Sequence, residues 1–127
     1  MLVGEVRRIK IGQVGVDSGQ LLIADPCYIR DQRGLAYDEI LRARTESGGG
    51  DMNQAPKYLQ LKYDQGHDGI GVVFNSGFGD GMYEVYATIE DFGDLGGERI
   101  VKVEVITVTD VEKNKFAELV RRRTRPK

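Results

Sequence analysis

The 127 residues predict a mainly β fold, an antiparallel β-sandwich or barrel with one short inserted helix and one C-terminal helix. Three observations carry that expectation. Six or so short segments show the period of two that a half-buried strand requires. Glycine occupies 17 positions and falls mostly between those segments, where turns need it. The regular strand-helix-strand alternation of a doubly wound parallel sheet is absent.

Residues 2–11 mix β-branched side chains with charge and read as a half-exposed strand. Val14 to Val16 runs into Asp17-Ser18-Gly19-Gln20, where Asp and Ser bond their own backbone, so a hairpin or bulge follows. Leu21 to Ala24 is a continuous apolar run, the pattern of a strand covered on both faces, and it stops at Asp25-Pro26 because proline donates nothing to a ladder. Tyr37, Ile40 and Leu41 have helical spacing, with acids early and arginines late as the helix dipole favours, which predicts a short helix over 37–44. Residues 46–56, centred on Gly48-Gly49-Gly50, have no period and form a loop.

Leu59, Leu61 and Tyr63 alternate with Tyr58, Gln60 and Lys62 in a half-buried strand, and 64–68 is the next turn. Residues 71–76 and 82–91 read as two strands joined by Gly77-Phe78-Gly79-Asp80-Gly81 into a hairpin. Tyr83, Val85, Ala87 and Ile89 share one face of the return strand, which fixes its register. A glycine-rich turn leads to Arg99–Val108, with Val101, Val103 and Val105 expected to face inward in a further antiparallel hairpin. Asp110 is placed to cap a final helix whose stripe is Val111, Phe116, Leu119 and Val120. The expected organisation is one β-rich domain over 1–120 and a basic tail over 121–127.

Composition narrows the function classes. No apolar run approaches the roughly 18 residues of a membrane span, so a soluble, cytoplasmic protein with no membrane partner is expected. The lone cysteine, Cys27, forms no internal disulfide, and with one histidine, His67, it does not make a structural zinc site. Net charge is −2, yet five of the 18 basic residues crowd into Arg121–Lys127. The body is therefore acidic, a poor reader of phosphate backbones, and nucleic acid is not an expected partner. No cofactor motif is present, and no metal site is assigned.

Two segments are candidates for chemistry. In Asp25-Pro26-Cys27-Tyr28 a carboxylate ends a strand and is aimed by a rigid proline, with a thiol two residues on. The plainer account is that Asp25 caps the following turn while Cys27 and Tyr28 pack. In Asn75-Ser76-Gly77-Phe78-Gly79-Asp80-Gly81, extended by Tyr83 and Tyr86, glycines bare backbone N–H groups that cradle an anion, and Asp80 is suited to a cation or a sugar hydroxyl. The plainer account there is a long hairpin loop. The spacing fits neither a dinucleotide fingerprint nor a phosphate-binding P-loop. Asp64, His67 and Asp68 lack the ligand spacing of an EF-hand.

The run Val16-Asp17-Ser18-Gly19-Gln20-Leu21-Leu22-Ile23-Ala24-Asp25-Pro26-Cys27-Tyr28, the run Ser76–Tyr86 and the valine strand after Arg99-Ile100 together resemble a family of small bacterial and bacteriophage proteins. That family carries a strand ending in Asp-Pro-Cys-Tyr and a Gly-Asp-Gly-x-Tyr-x-Val-Tyr hairpin. The resemblance covers under half of the chain and implies no activity, cofactor or catalytic role.

The function expected from these residues is a small non-enzymatic domain binding a small polar ligand, nucleotide-like or sugar-like, or a divalent ion. Its site would gather Asp25, Cys27 and Tyr28 with Asn75, Ser76, Asp80, Tyr83 and Tyr86. Two alternatives stand beside it: an interaction module docking through hairpins or the C-terminal helix, and a hydrolase using Asp25 or Asp80 as general base.

Overall fold

Strand length and side-chain alternation decide which strands pair, and here they yield two open antiparallel sheets of three strands each. The computed structural model describes residues 2–29 and 35–124. Along the chain these form β1 (Val6–Val16), β2 (Gln20–Ile23), α1 (Tyr37–Ser47), β3 (Tyr58–Lys62), β4 (Asp68–Asn75), β5 (Gly81–Asp91), β6 (Glu98–Val105) and α2 (Asp110–Thr124). Single 3-10 turns lie at Pro26–Tyr28, Met52–Gln54 and Gly93–Leu95. The mainly β class, the inserted helix and the C-terminal helix are as expected. The chain divides into two compact units, Met1–Val16 with Asp80–Lys127, and Asp17–Gly79.

In the first unit β5 is central, with β1 and β6 antiparallel on either side. The registers Ile9↔Ala87 and Val103↔Ala87 align one apolar row across the three strands, and Lys10↔Tyr86 and Glu104↔Tyr86 align a charged row on the opposite face. Bulges near Ile11 and Val101 keep both residues on the apolar side while the ladder shifts by one. The α2 helix begins with a reciprocal cap: the Thr109 hydroxyl accepts from the Glu112 amide at 3.1 Å, and the Glu112 carboxylate accepts from the Thr109 amide at 3.1 Å. Thr109 therefore takes the role expected of Asp110. The helix continues through Arg121–Arg123 to Thr124, so no structural break falls at 120. Arg125, Pro126 and Lys127 of the expected tail lie outside the described residues.

In the second unit β4 is central between β2 and β3. Its Ile70 and Val73 are buried with Leu35, Ile40 and Leu61, and Leu22, Leu59, Tyr28 and Tyr63 pack around them. Fully burying side chains of this size contributes roughly 1.5–3 kcal/mol each, so this cluster is the main apolar stabilisation of the unit. Gly71 is required within β4. A Cβ there would lie 2.9 Å from the Ile23 carbonyl oxygen and 3.3 Å from the Ala24 Cβ.

Three strand expectations are corrected. Segments 71–76 and 82–91 are not hairpin partners: β4 pairs with β2 and β3, and β5 pairs with β1 and β6. The reason lies in length and pattern. β1 and β5 are both 11 residues long and pair over nearly their whole span, which the eight-residue β4 does not match. Leu21–Ala24 is not a doubly covered strand, because β2 is an edge and Ile23 is 64% exposed. Val101 and Val103 face outward to solvent instead of inward, since no described element covers that face of β6. Each sheet is open at both edges, so neither closes into a barrel.

Candidate functional site

At the end of β2, Asp25 has extended backbone, as the residue before proline must, and its carboxylate accepts from the Cys27 amide at 3.0 Å. The Tyr28 amide donates back to the Asp25 carbonyl at 3.0 Å, closing the turn. The Cys27 backbone and then its side chain hold the Asp25 carboxyl below its ordinary value, which makes it a weak general base. Cys27 is exposed. Tyr28 is half-buried, with its ring edge-on to Tyr63 at 5.7 Å between centroids, and Tyr63 stacks on His67 at 4.6 Å. Hydrogen bonding to Tyr63 foremost, then the charge on Tyr63 and burial, pushes the Tyr28 phenol up to about 12.

Asn75 and Ser76 lie at the other end of this sheet. The register pairs Gln20 with Asn75 and Ile23 with Val72, so β2 runs away from them towards Asp25. Tyr63, which holds Tyr28, sits beside the β3–β4 turn, and the eight residues of β4 separate that turn from Asn75 by about 23 Å. Asp25, Cys27 and Tyr28 are thus brought together, Asn75 and Ser76 are brought together, and the two groups occupy opposite ends. Ser76 is fully buried, and its hydroxyl donates to the Gly79 carbonyl at 2.8 Å while the Gly79 amide returns to Ser76 at 2.7 Å. The Ser76 amide donates to Gly19 at 3.0 Å, which joins this turn to the Asp17–Gly19 turn.

Beneath that same end lies a residue the sequence reading missed. Arg44 of α1 is only 1% exposed. Its two terminal nitrogens donate to the Gln20 side-chain oxygen at 2.7 Å and the Pro56 carbonyl at 2.8 Å, and its Nε has no partner among the described residues. Burial alone lowers its pKa. The available signal was its position four residues after Ile40, on the buried face of the helix.

The first unit holds Asp80, Tyr83 and Tyr86. Asp80 is exposed at the lead-in to β5. Tyr83 and Tyr86 are three residues apart on one strand and so face opposite sides of it. Tyr83 stands opposite Val14 with its ring near Gly81, while Tyr86 stands in the charged row.

Around Tyr86 the charges are organised. Its hydroxyl donates to Glu84 at 2.5 Å, Lys10 binds the other Glu84 oxygen at 3.2 Å, and the Arg8 guanidinium lies 4.0 Å over the Tyr86 ring. Arg8 also donates from Nε to Glu104 at 3.0 Å. The Tyr86 hydroxyl foremost, then Lys10, lowers the Glu84 pKa, and the bond to Glu84 raises that of Tyr86. Arg8 chiefly lowers that of Glu104. Beside this array, the segment after β6 and the first turn of α2 close a cleft of about 510 Å³. Arg8, Glu84 and Tyr86 line it on the sheet side, and Thr107, Thr109 and Lys113 line it on the helix side.

Among the described residues no group of three or more His, Cys, Asp or Glu side chains is placed to hold a metal ion. No described helix is long and apolar enough to cross a membrane. No protein-family model, curated protein or solved structure matches the chain.

Proposed function

We propose that the protein is a small binding domain whose polar ligand sits in the cleft between the charged row of β1, β5 and β6 and the start of α2. The observation that carries this reading is the cleft itself, about 510 Å³ in volume, with Tyr86 in its wall held on one side by Glu84 and on the other by Arg8. Pockets for small ligands begin at roughly 300 Å³. Among the described residues Arg8 bonds Glu104 through Nε, which leaves its paired terminal nitrogens to a phosphate or carboxylate in bidentate fashion. Glu84 is kept ionised and accepts hydroxyls, as from a ribose or sugar. Thr107, Thr109, Asp110 and Lys113 line the same space, with the Lys113 ammonium 3.6 Å from the Asp110 carboxylate. A phosphorylated sugar or mononucleotide satisfies both kinds of group at once.

The test follows the melting temperature of the full chain with adenosine monophosphate, ribose 5-phosphate, glucose and inorganic phosphate. A ligand at 100 times its Kd adds about 2.7 kcal/mol of stability. A rise with adenosine monophosphate or ribose 5-phosphate that disappears in Arg8→Ala supports the reading. No rise with any of the four, or a rise that Arg8→Ala leaves intact, overturns it.

A further inference from the structure

Two apolar surfaces of the first unit face solvent. One is the sheet face that carries Ile9, Ile11, Ile100, Val101 and Val103, each between 38% and 59% exposed. The other is α2, which has no buried residue and shows Phe116, Leu119 and Val120, within an arc of about 100° around the helix, at between 48% and 55% exposure. A lone 15-residue helix is marginal in water, so a helix with this stripe gains most of its stability from whatever covers it. The helix does not cover its own sheet's apolar face. Its first turn, Asp110 to Lys113, shares a cleft with Arg8, Glu84 and Tyr86, which belong to the charged face.

We infer that a second copy of this chain covers both surfaces, the α2 of each copy lying on the apolar β1-β5-β6 face of the other. Two observations favour this occupant. The first is area. The uncovered side chains amount to on the order of 700 Å² per copy, close to the roughly 800 Å² per partner of a stable interface. The second is charge. Leu119 and Val120 share a groove of about 410 Å³ with Arg122 and Arg123, so the apolar side of the helix ends in a basic turn. The sheet's apolar face ends at the β5–β6 turn with Asp91 and Glu98, paired in register on that side of the ladder, and with Asp94 in the turn itself, while Arg7 on the same side pairs with Glu98 at 3.9 Å. A helix laid with its C-terminus towards that turn matches apolar to apolar and basic to acidic. The arrangement closes with two-fold symmetry, so it yields a dimer and not a filament.

Sedimentation equilibrium of the full chain tests this. At about 50 µM the expected species is a dimer. Leu119 is half-exposed on a helix with no buried residue, so Leu119→Asp is expected to leave the monomer folded and weaken dimerisation at least about 30-fold. Ile100→Lys, on an exposed sheet position, is expected to do the same from the other surface. Mixing the two variants restores one intact helix-on-sheet contact, formed by the native helix of Ile100→Lys and the native sheet of Leu119→Asp. A mixed dimer supports the inference. A monomeric wild-type chain overturns it. So does a dimer unaffected by Leu119→Asp, or two folded variants that do not associate when mixed.

Discussion

Arg44 and Tyr28 show how single side chains in the second unit work against solvation. Arg44 gives up water on burial and recovers two neutral acceptors among the described residues, Gln20 and Pro56. Arg44→Ala removes both bonds and leaves a cavity, and is expected to lower stability by about 3 kcal/mol. Arg44→Met keeps the volume and discards the buried charge, so its cost is expected to be less than half as large. Urea unfolding of the two variants at unchanged slope measures the difference, and equal losses would show that the guanidinium bonds outweigh its desolvation. Tyr28 gives a pH dependence. Its folded pKa, about 12, lies above the ordinary 10.0, so the folded state holds the proton longer than the unfolded state. The stability it contributes is complete below pH 10 and is lost as pH rises through 12. A phenolate absorbance titration should show a latest-titrating tyrosine, beyond Tyr86, that vanishes in Tyr28→Phe and moves down in Tyr63→Phe.

Elements were legible where the local pattern sufficed and illegible where the partner was distant. The presence and start of α1, the faces of β3 and the β5–β6 hairpin follow from spacing alone, while α1 runs on to Ser47, three residues beyond the expected end at 44. The cap of α2 was also written in the chain, as Thr109 with Glu112 three residues later. Strand partners were not, because a glycine-rich turn between two good strands looks the same whether the strands pair or part. Only the long match of β1 to β5, across more than 60 residues, separates β4 from β5. The expected site had the same weakness: alternation places Tyr83 and Tyr86 on opposite faces, and the β2–β4 register alone sends Asp25 away from Asn75. The end of α1 shows how closely backbone approach controls an element. A Cβ on Gly48 would collide with the Asp51 carbonyl oxygen and lie 2.7 Å from the Ala55 amide nitrogen, whereas Gly49, at φ +71, has open space around it. Gly49→Ala should cost roughly 1 kcal/mol, the price of a left-handed alanine. Gly48→Ala must displace backbone and should cost at least twice as much in thermal unfolding.

Across the whole molecule, apolar burial is unevenly shared. The second unit buries Leu35, Ile40, Leu61, Ile70 and Val73, while in the first unit only Val16 and Ala87 are buried among the described apolar residues. Backbone ordering costs about the same per residue in either sheet, so the unit with less burial opens more readily. Native-state hydrogen exchange at low protein concentration should therefore find the amides of β5 less protected than those of β4, by at least about 2 kcal/mol, or roughly 30-fold. If a second copy covers the first unit, raising the concentration stabilises β5 and α2 by mass action while leaving β4 unchanged until the gap closes. Leu119→Asp should hold the gap open at every concentration. Equal protection of β4 and β5 in dilute solution would instead mean that the two units unfold together, and that the exposed apolar face of β1, β5 and β6 costs the monomer less than its area implies.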